Sequence, residues 1–207
     1  MHDPALAHLT RADKTLGRLI RQIGPCLLKP ERRRSPYEAL VQSVVYQQLN
    51  GRAASTILGR VKALFPARKF PTPEDLLATS DEQLRGAGLS RAKTAAVKDI
   101  ATQTLAGVVP TSRHIARLPD AEILERLTSI RGVGPWTVEM LLIFKLGRPD
   151  VLPVTDYGVR IGFARAFGWE AMPTPAELLA HGERWRPHRT IAAWYLWRAA
   201  DLPEPEV

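Results

Sequence analysis

Two glycines and a proline, in the order Gly132-Val133-Gly134-Pro135, form the stretch of this sequence that most clearly suggests chemistry. Glycines allow positive φ angles and leave no Cβ atom to keep a ligand away from the backbone. Pro135 favours the first position of a helix, so we expect backbone N–H groups near Gly134 to point outward at a helix N-terminus. Such a terminus attracts anions, phosphate above all. The pattern favours a phosphate-binding turn over a turn that only packs two helices.

A carboxylate follows at Asp156, in the run Pro153-Val154-Thr155-Asp156-Tyr157. The pattern predicts Thr155 as the N-cap of a helix that runs toward Phe167, with Asp156 at its first position. The positive end of the helix dipole favours the ionised carboxylate at such a position. An anion there can stabilise a positive charge that develops in a substrate or orient an attacking water. The alternative is that Asp156 only caps a helix.

Aromatic and apolar side chains offer contacts to an unstacked base. The tryptophans at 136, 194 and 197 present faces that attract a cationic ring by about 0.5–2 kcal/mol. Trp194 is equally typical of a hydrophobic core. Asn50-Gly51 breaks a helix and is expected to present Leu49 at a loop tip, where an apolar wedge can fill the gap that a flipped base leaves. The alternative for Leu49 is packing between two helices.

The elements that must position these groups are predicted to be helices. Sustained period-2 alternation is absent, whereas helix starts recur where Ser or Thr precedes an acidic or amide residue by three positions. Such starts stand at Ser35, Thr72, Ser80 and Thr174, and Ser90 precedes a further helical run. Stops are expected at Gly88, Gly147 and Gly168. The sequence therefore predicts about ten helices and an all-α fold.

Composition narrows the class of protein. The 207 residues carry 29 Lys and Arg against 21 Asp and Glu, a formal net charge of +8, which favours a polyanionic partner. The basic run at Lys29 and Arg32–Arg34 is typical of a nucleic-acid-binding patch, but a solvated loop between helices is the favoured interpretation. The single cysteine, Cys26, excludes a disulfide framework, a Cys₄ zinc site and a Cys-ligated iron–sulfur cluster. Without a signal peptide or a membrane-spanning run, we expect a cytoplasmic protein with no membrane partner.

Four stretches together resemble the helix-hairpin-helix-GPD superfamily of DNA glycosylases, and motif for motif its 3-methyladenine DNA glycosylase II branch. They are VVYQQLNGRAAS at 44–55, LTSIRGVGPWTVEMLLIF at 127–144, DVLPVTDYGVRIGF at 150–163 and WRPHRTIAAWYLW at 185–197. The resemblance implies an all-α, two-lobed helical bundle with an active-site cleft between the lobes, in a compact form without the N-terminal sheet domain of longer relatives. We expect one lobe at 36–130, and a second from 1–35 plus 131–207 that holds the hairpin turn and the aspartate. In that second lobe an N-terminal helix at about 3–23 is expected to pack with the C-terminal segment.

The resemblance also implies a role for individual residues. Asp156 matches the essential aspartate, although many relatives have two adjacent acids and this chain has Thr155 in the first place. The base pocket is assigned to Trp136, Trp197, Met140, Tyr46 and Trp194. The intercalating wedge and its minor-groove neighbours are Leu49, Gln48 and Asn50. Phosphate contacts are assigned to Gly132, Val133, Gly134, Thr137 and Arg52, with Lys93 as a further candidate. Backbone carbonyls of Ile130 and Gly132 are assigned to a monovalent cation, Na⁺ or K⁺.

Trp136 decides the expected reaction. Bifunctional members of the superfamily carry a Schiff-base lysine two residues after the second hairpin glycine, and tryptophan cannot replace it. The resemblance therefore implies a monomeric, monofunctional glycosylase that needs no cofactor and has no iron–sulfur cluster. It would release alkylated bases, first 3-methyladenine and second 7-methylguanine, from double-stranded DNA and leave an abasic site. The alternative is a non-catalytic helix-hairpin-helix protein that binds damaged DNA. A mismatch or oxidised-purine glycosylase is disfavoured by Trp136.

Overall fold

The computed structural model describes residues 3–202, and every regular element in that range is helical. The all-α prediction is confirmed, with thirteen α-helices in the described range rather than about ten. A π-helical turn, Leu141–Leu146, continues α10, and a 3₁₀ turn, Glu183–Trp185, follows α12. The α-helices are α1 Asp3–Ala12, α2 Lys14–Ile23, α3 Pro36–Tyr46, α4 Gly51–Ala63, α5 Pro73–Ala78, α6 Asp81–Gly86, α7 Arg91–Leu105, α8 Ser112–Ile115, α9 Asp120–Thr128, α10 Pro135–Met140, α11 Tyr157–Phe167, α12 Pro175–Gly182 and α13 Arg189–Asp201.

The predicted helix starts are confirmed by their hydrogen bonds. Capping boxes form at four of them, and Ser90 caps α7 through the Lys93 amide. The predicted helix at 3–23 is instead two helices, because Asp13 interrupts it. Asp13 Oδ1 accepts hydrogen bonds from the Thr15 and Leu16 amides at 3.0 Å each, which makes Asp13 the N-cap of α2.

The chain divides into two compact units, which we describe separately. The first unit comprises the chain up to Pro30 and from Gly147 onward, and the second unit comprises Glu31–Leu146. The hairpin at 127–144 lies in the second unit, with the helices of 36–130, whereas the sequence had placed it in the lobe with Asp156. The physical reason is packing, since α10 lies against α9 and α3 and the π-helical turn also lies against α3.

The first unit has its core where α2, α11 and α13 meet. Phe163, Trp185 and Tyr195 are fully buried there. The contact between α11 and α13 is unusually close because Gly162 faces the backbone of α13, where a Cβ atom would collide with the Leu196 carbonyl. This contact determines where the N-terminus of α11 lies relative to α13.

The second unit is organised around α7, which packs against α3, α5 and α6. Val97 and Ile100 of α7 are buried with Leu40 and Val44 of α3. In the described part of the chain, no helix is both long enough and apolar enough to cross a membrane.

Candidate active site

Asp156 caps α11 and is held by two N–H donors. Its Oδ1 atom accepts one hydrogen bond from the Val159 amide and one from the Trp197 indole Nε1, both at 2.8 Å. The helix begins at Tyr157, one residue later than predicted, because the Asp156 side chain and not Thr155 provides the N-cap. The carboxylate is half-buried. Two N–H bonds on one oxygen fix the orientation of the carboxylate and stabilise its negative charge.

Gly158 makes room for this arrangement, and sequence reasoning missed it. A Cβ atom on Gly158 would lie 2.8 Å from Trp197 Cδ1 and 3.2 Å from Asp156 Oδ1, so a larger residue would push the two partners apart. The signal was present in the sequence, since Gly158 and Gly162 are four residues apart and share one face of α11. That face lies against α13, which carries Trp197.

The second unit contains a cavity of about 310 Å³ with an aromatic wall. Three of the five predicted pocket residues, Tyr46, Trp136 and Met140, line it together with Phe144. Its polar lining consists of Glu31, Arg34, Gln42, Ser43 and Lys145. The volume is in the range of small-ligand pockets. The structure therefore gathers residues from α3 and α10 that are 90 or more positions apart in sequence around one aromatic cavity.

The other two predicted pocket residues lie on α13 in the first unit. Trp197 donates its indole N–H to Asp156, a contact that the sequence did not predict. Trp194 packs against the core of the first unit, edge-on to Tyr195 at 4.9 Å between ring centroids. The Arg198 guanidinium lies over its ring, 5.7 Å from the centroid.

The hairpin turn, Gly132–Gly134, has one glycine that needs its conformational freedom. Gly132 has φ +77°, and a Cβ atom there would lie 2.6 Å from the Cβ of Ala96 on α7. Gly134 is extended, with φ −92°, and its missing Cβ faces open space. No side chain caps the N-terminus of α10 at Gly134. Val133 is buried between them, so the exposed part of the turn is backbone.

The polar groups beneath the turn already have partners. The Ile130 carbonyl accepts from the Val133 amide at 3.1 Å, and the Gly132 carbonyl accepts from Gln47 Nε2 at 3.0 Å. Gln47 Nε2 also donates to Thr137 Oγ1 at 3.0 Å. Thr137 is buried, so its hydroxyl supports the turn from inside rather than facing solvent as a phosphate ligand. Among residues 3–202, no group of three or more His, Cys, Asp or Glu side chains is arranged to hold a metal ion.

The wedge loop, Gln48–Asn50, connects α3 to α4, and all three residues are exposed. Leu49 is 38% exposed, so part of its side chain is accessible at the loop tip, as the wedge assignment requires. Gln48 has φ +55°, which turns the chain sharply after α3. Asn50 caps α4 through a 2.9 Å bond from the Ala53 amide.

The two predicted basic contacts differ. Arg52 is exposed in the first turn of α4. Lys93 instead points into the second unit, where its Nζ donates to the carbonyls of Val45 at 2.8 Å and Gln47 at 2.7 Å. Partial burial lowers the pKa of the Lys93 ammonium group. Lys93 therefore caps the C-terminus of α3 in this structure.

Comparison with known proteins shows similarity in sequence and fold to DNA glycosylases. DNA-3-methyladenine glycosylase 1 of Schizosaccharomyces pombe is 40% identical over 200 residues, covering 95% of this chain and 87% of that protein. A solved structure of the 3-methyladenine DNA glycosylase from that yeast, in complex with abasic DNA, matches with a TM-score of 0.90 at 39% identity, covering 99% of this chain and 100% of that one. A DNA-3-methyladenine glycosidase from Bacillus halodurans matches with a TM-score of 0.83 at 34% identity, covering 95% and 89%. Residues 41–187 match the model of the HhH-GPD superfamily of base excision DNA repair proteins, and this chain belongs to that superfamily.

Proposed function

We propose that this protein is a monofunctional DNA glycosylase that flips alkylated bases out of double-stranded DNA and hydrolyses their glycosidic bonds. The observation that carries the proposal is the Asp156 carboxylate, fixed by the Val159 amide and the Trp197 indole at the start of α11. The names of the yeast and bacterial relatives support 3-methyladenine as the first substrate, with 7-methylguanine as the second. The yeast enzyme's complex with abasic DNA supports an abasic site as the product.

The reaction requires an anion to stabilise the sugar more than an acid to protonate the departing base, because the alkylated base is already cationic. The bond between the sugar C1′ and the base nitrogen breaks, and its electron pair leaves with the cationic alkylated base, which becomes neutral. The sugar becomes oxocarbenium-like, and the Asp156 carboxylate stabilises its positive charge. Water then adds to C1′ and loses a proton. Trp136 stands where a Schiff-base lysine would be needed, so water is the final nucleophile and no cofactor is required.

The aromatic residues would recognise the base. A cationic purine is attracted to the face of an indole by about 0.5–2 kcal/mol, more than a neutral purine. We assign this contact to Trp136, supported by Met140 and Tyr46 in the same cavity, and to Trp197 and Trp194 on α13. The alkylated base also has a weakened glycosidic bond, so the chemistry demands less catalysis than excision of a normal base.

The exposed loops of the second unit would bind the duplex. Leu49 would enter the base stack, with Gln48 and Asn50 in the minor groove. The backbone of the hairpin turn and the Arg52 guanidinium would contact phosphates. We place the protein where the DNA is, in the cytoplasm, and at the nucleoid if the organism is a bacterium.

The hairpin could also hold a monovalent cation. The carbonyls of Ile130 and Gly132 each accept one hydrogen bond and keep a second lone pair for Na⁺ or K⁺. Replacing K⁺ by tetramethylammonium at constant ionic strength should then weaken binding of abasic duplex. Unchanged affinity would contradict the cation site.

Single-turnover release of methylated bases from alkylated duplex tests the proposed chemistry. Wild-type protein should release 3-methyladenine, and Asp156→Asn should slow release by about a thousandfold or more while duplex binding persists. Asp201→Asn is the matched control, because Asp201 is exposed at the end of α13 and pairs with Arg198 on the surface. If wild-type protein binds alkylated duplex and releases nothing, the non-catalytic damage-binding alternative becomes the better account.

A further inference from the structure

Gln47 directly precedes the wedge loop in the chain, and its side chain contacts the hairpin turn. Its backbone forms the C-cap of α3, directly before Gln48. Its side-chain amide donates to the Gly132 carbonyl and to the Thr137 hydroxyl, both at 3.0 Å. One amide group thus satisfies a carbonyl of the hairpin turn and a buried hydroxyl of α10.

Helix α7 also contacts the end of α3 and the hairpin turn, through three residues spaced three apart in sequence. Lys93 holds the Val45 and Gln47 carbonyls at the end of α3. Ala96 lies 2.6 Å from where a Cβ of Gly132 would stand, so its small side chain allows the turn to approach. Asp99 Oδ2 accepts the Arg131 amide at 2.7 Å, just before the turn. A spacing of three places these side chains along one side of the helix.

We propose that Gln47 is a positioning residue that holds the wedge loop and the hairpin turn in one fixed register on α7. Insertion of Leu49 and contact of the turn with phosphate then occur as a single, preorganised binding step. This inference rests on the proposed function, because it takes the wedge and the phosphate contact from there. It goes further by assigning a positioning role to Gln47, a residue to which the proposed function gives no contact with the DNA.

The physical reason is the cost of ordering loops on binding. Each backbone residue that becomes ordered only in the complex weakens binding, and a segment held in its bound conformation avoids that loss. The wedge loop has three exposed residues, one with positive φ, so its conformation depends on anchors at its ends. Lys93 and Gln47 provide the anchor at the α3 end, and Asn50 provides the anchor at the α4 end.

Gln47→Met tests the proposal, because methionine keeps the length of the side chain and removes both N–H donors. We expect affinity for a duplex with a tetrahydrofuran abasic analogue to fall about tenfold, because the hairpin turn loses two hydrogen bonds that hold it. Affinity for undamaged duplex should fall less than threefold. Gln22→Met is the matched control, since Gln22 is exposed on α2 in the first unit. A general loss of folded protein would lower both affinities equally and would contradict the proposal.

A double-mutant comparison separates this inference from the proposed function. If Gln47 acts by positioning the wedge, its removal should matter little once Leu49 is gone. The Gln47→Met, Leu49→Ala protein should therefore bind the abasic duplex within about threefold of the weaker single variant. Multiplied effects would overturn the positioning role of Gln47. A Leu49→Ala protein that binds abasic duplex like wild type would instead overturn the wedge assignment in the proposed function.

Lys93→Met provides a second variant that leaves Gln47 intact. It removes the two bonds to the Val45 and Gln47 carbonyls, so it should lower abasic-duplex affinity in the same selective way. Lys98→Met on the same helix is its control, because Lys98 pairs with Asp81 on the surface. Equal losses of affinity for abasic and undamaged duplex in Lys93→Met would show that Lys93 contacts phosphate directly. The proposal that α7 holds the end of α3 in place for DNA binding would then be wrong.

Discussion

The two units hold their functional residues by different physical means. In the first unit, the Asp156 carboxylate lies where α11 packs closely on α13. There is no room in this contact for a Cβ atom at position 158 or 162, and both residues are glycines. In the second unit, the wedge loop and the hairpin turn are held by hydrogen bonds from two long side chains, Gln47 and Lys93. The first unit therefore positions a charge by close helix packing together with two hydrogen bonds, whereas the second positions exposed loops by hydrogen bonds from long side chains.

The difference matches the proposed tasks of the two regions. A charge that stabilises a transition state must be held within a fraction of an ångström, and packed helices provide that rigidity. Loops that enter DNA must remain exposed, so they cannot be held by burial and depend on a few hydrogen bonds at their ends. The first unit should thus be sensitive to added volume, and the second to the loss of single donors.

The largest expected effect is that of Gly162→Ala in the first unit. A Cβ atom there would collide with the Leu196 carbonyl, so α11 and α13 must separate. We expect the free energy of unfolding to fall by about 3 kcal/mol, measured by urea unfolding, because overpacking a close contact costs about this much. Base release should fall with it, because the Asp156–Trp197 bond spans the same two helices.

Gly59→Ala in α4 is the control in the second unit. A Cβ on Gly59 would meet nothing within 4 Å, so alanine should raise stability by about 0.5 kcal/mol. If both substitutions changed the free energy of unfolding equally, the proposed difference between the two units would be wrong.

The second expected effect concerns a polar cluster within the packed unit. Asp13 is buried, and its Oδ2 accepts from His181 Nε2 at 2.9 Å and from Trp185 Nε1 at 3.1 Å. Burial alone would raise the pKa of the Asp13 carboxyl, but hydrogen bonds from Leu16, His181 and Trp185 outweigh it and lower the pKa. This cluster shows that the first unit also depends on polar contacts where they are buried.

Asp13→Asn should cost about 2 kcal/mol of unfolding free energy at pH 7, because the indole and imidazole lose a charged acceptor. The folded pKa is lowered, so this stabilisation is fully present above the unfolded pKa of about 3.9 and is lost as pH falls through the lower folded value. Urea unfolding of both proteins between pH 7 and pH 3 measures it. A difference between them that grows toward pH 3 would contradict this sign.

The third effect isolates one hydrogen bond at the carboxylate. Trp197→Phe keeps an aromatic face and removes the N–H that donates to Asp156 Oδ1 at 2.8 Å. Single-turnover base release should slow about tenfold with little change in duplex affinity, since a bond to a charged group contributes about 1.5–3 kcal/mol. Trp169→Phe removes an indole N–H elsewhere in the same unit and is the control. Weaker duplex binding with an unchanged release rate would show that Trp197 acts by stacking alone.

The sequence predicted the helices well because their signals are local. Capping residues act within one turn of the chain, so Ser35, Thr72, Ser80 and Thr174 could be read directly. The break at Asp13 was missed because the apolar pattern continues across it. His181 and Trp185, which lie far away in sequence, donate hydrogen bonds to the Asp13 carboxylate and stabilise it as a cap.

The functional residues divide in the same way. Asp156 and the hairpin glycines could be found because their residue types and spacing carry the chemistry themselves. Gln47 and Lys93 could not, because each acts through a partner 46 or more residues away in sequence. Lys93 was only a candidate phosphate contact, since nothing in the sequence shows that the carbonyls at the end of α3 lie beside it.

The smallest expected effect separates two roles of Asn50 in the wedge loop. Its Oδ1 accepts the Ala53 amide at 2.9 Å, while its amide N–H groups are assigned to the minor groove. Asn50→Ser keeps an N-cap and removes the amide, so stability should be unchanged and abasic-duplex affinity should fall a few-fold. Asn50→Ala should lose both, with about 1 kcal/mol of unfolding free energy. If serine restores affinity together with stability, Asn50 contributes only by holding the loop, and the second unit depends on its anchors even more fully than the contrast with the packed carboxylate implies.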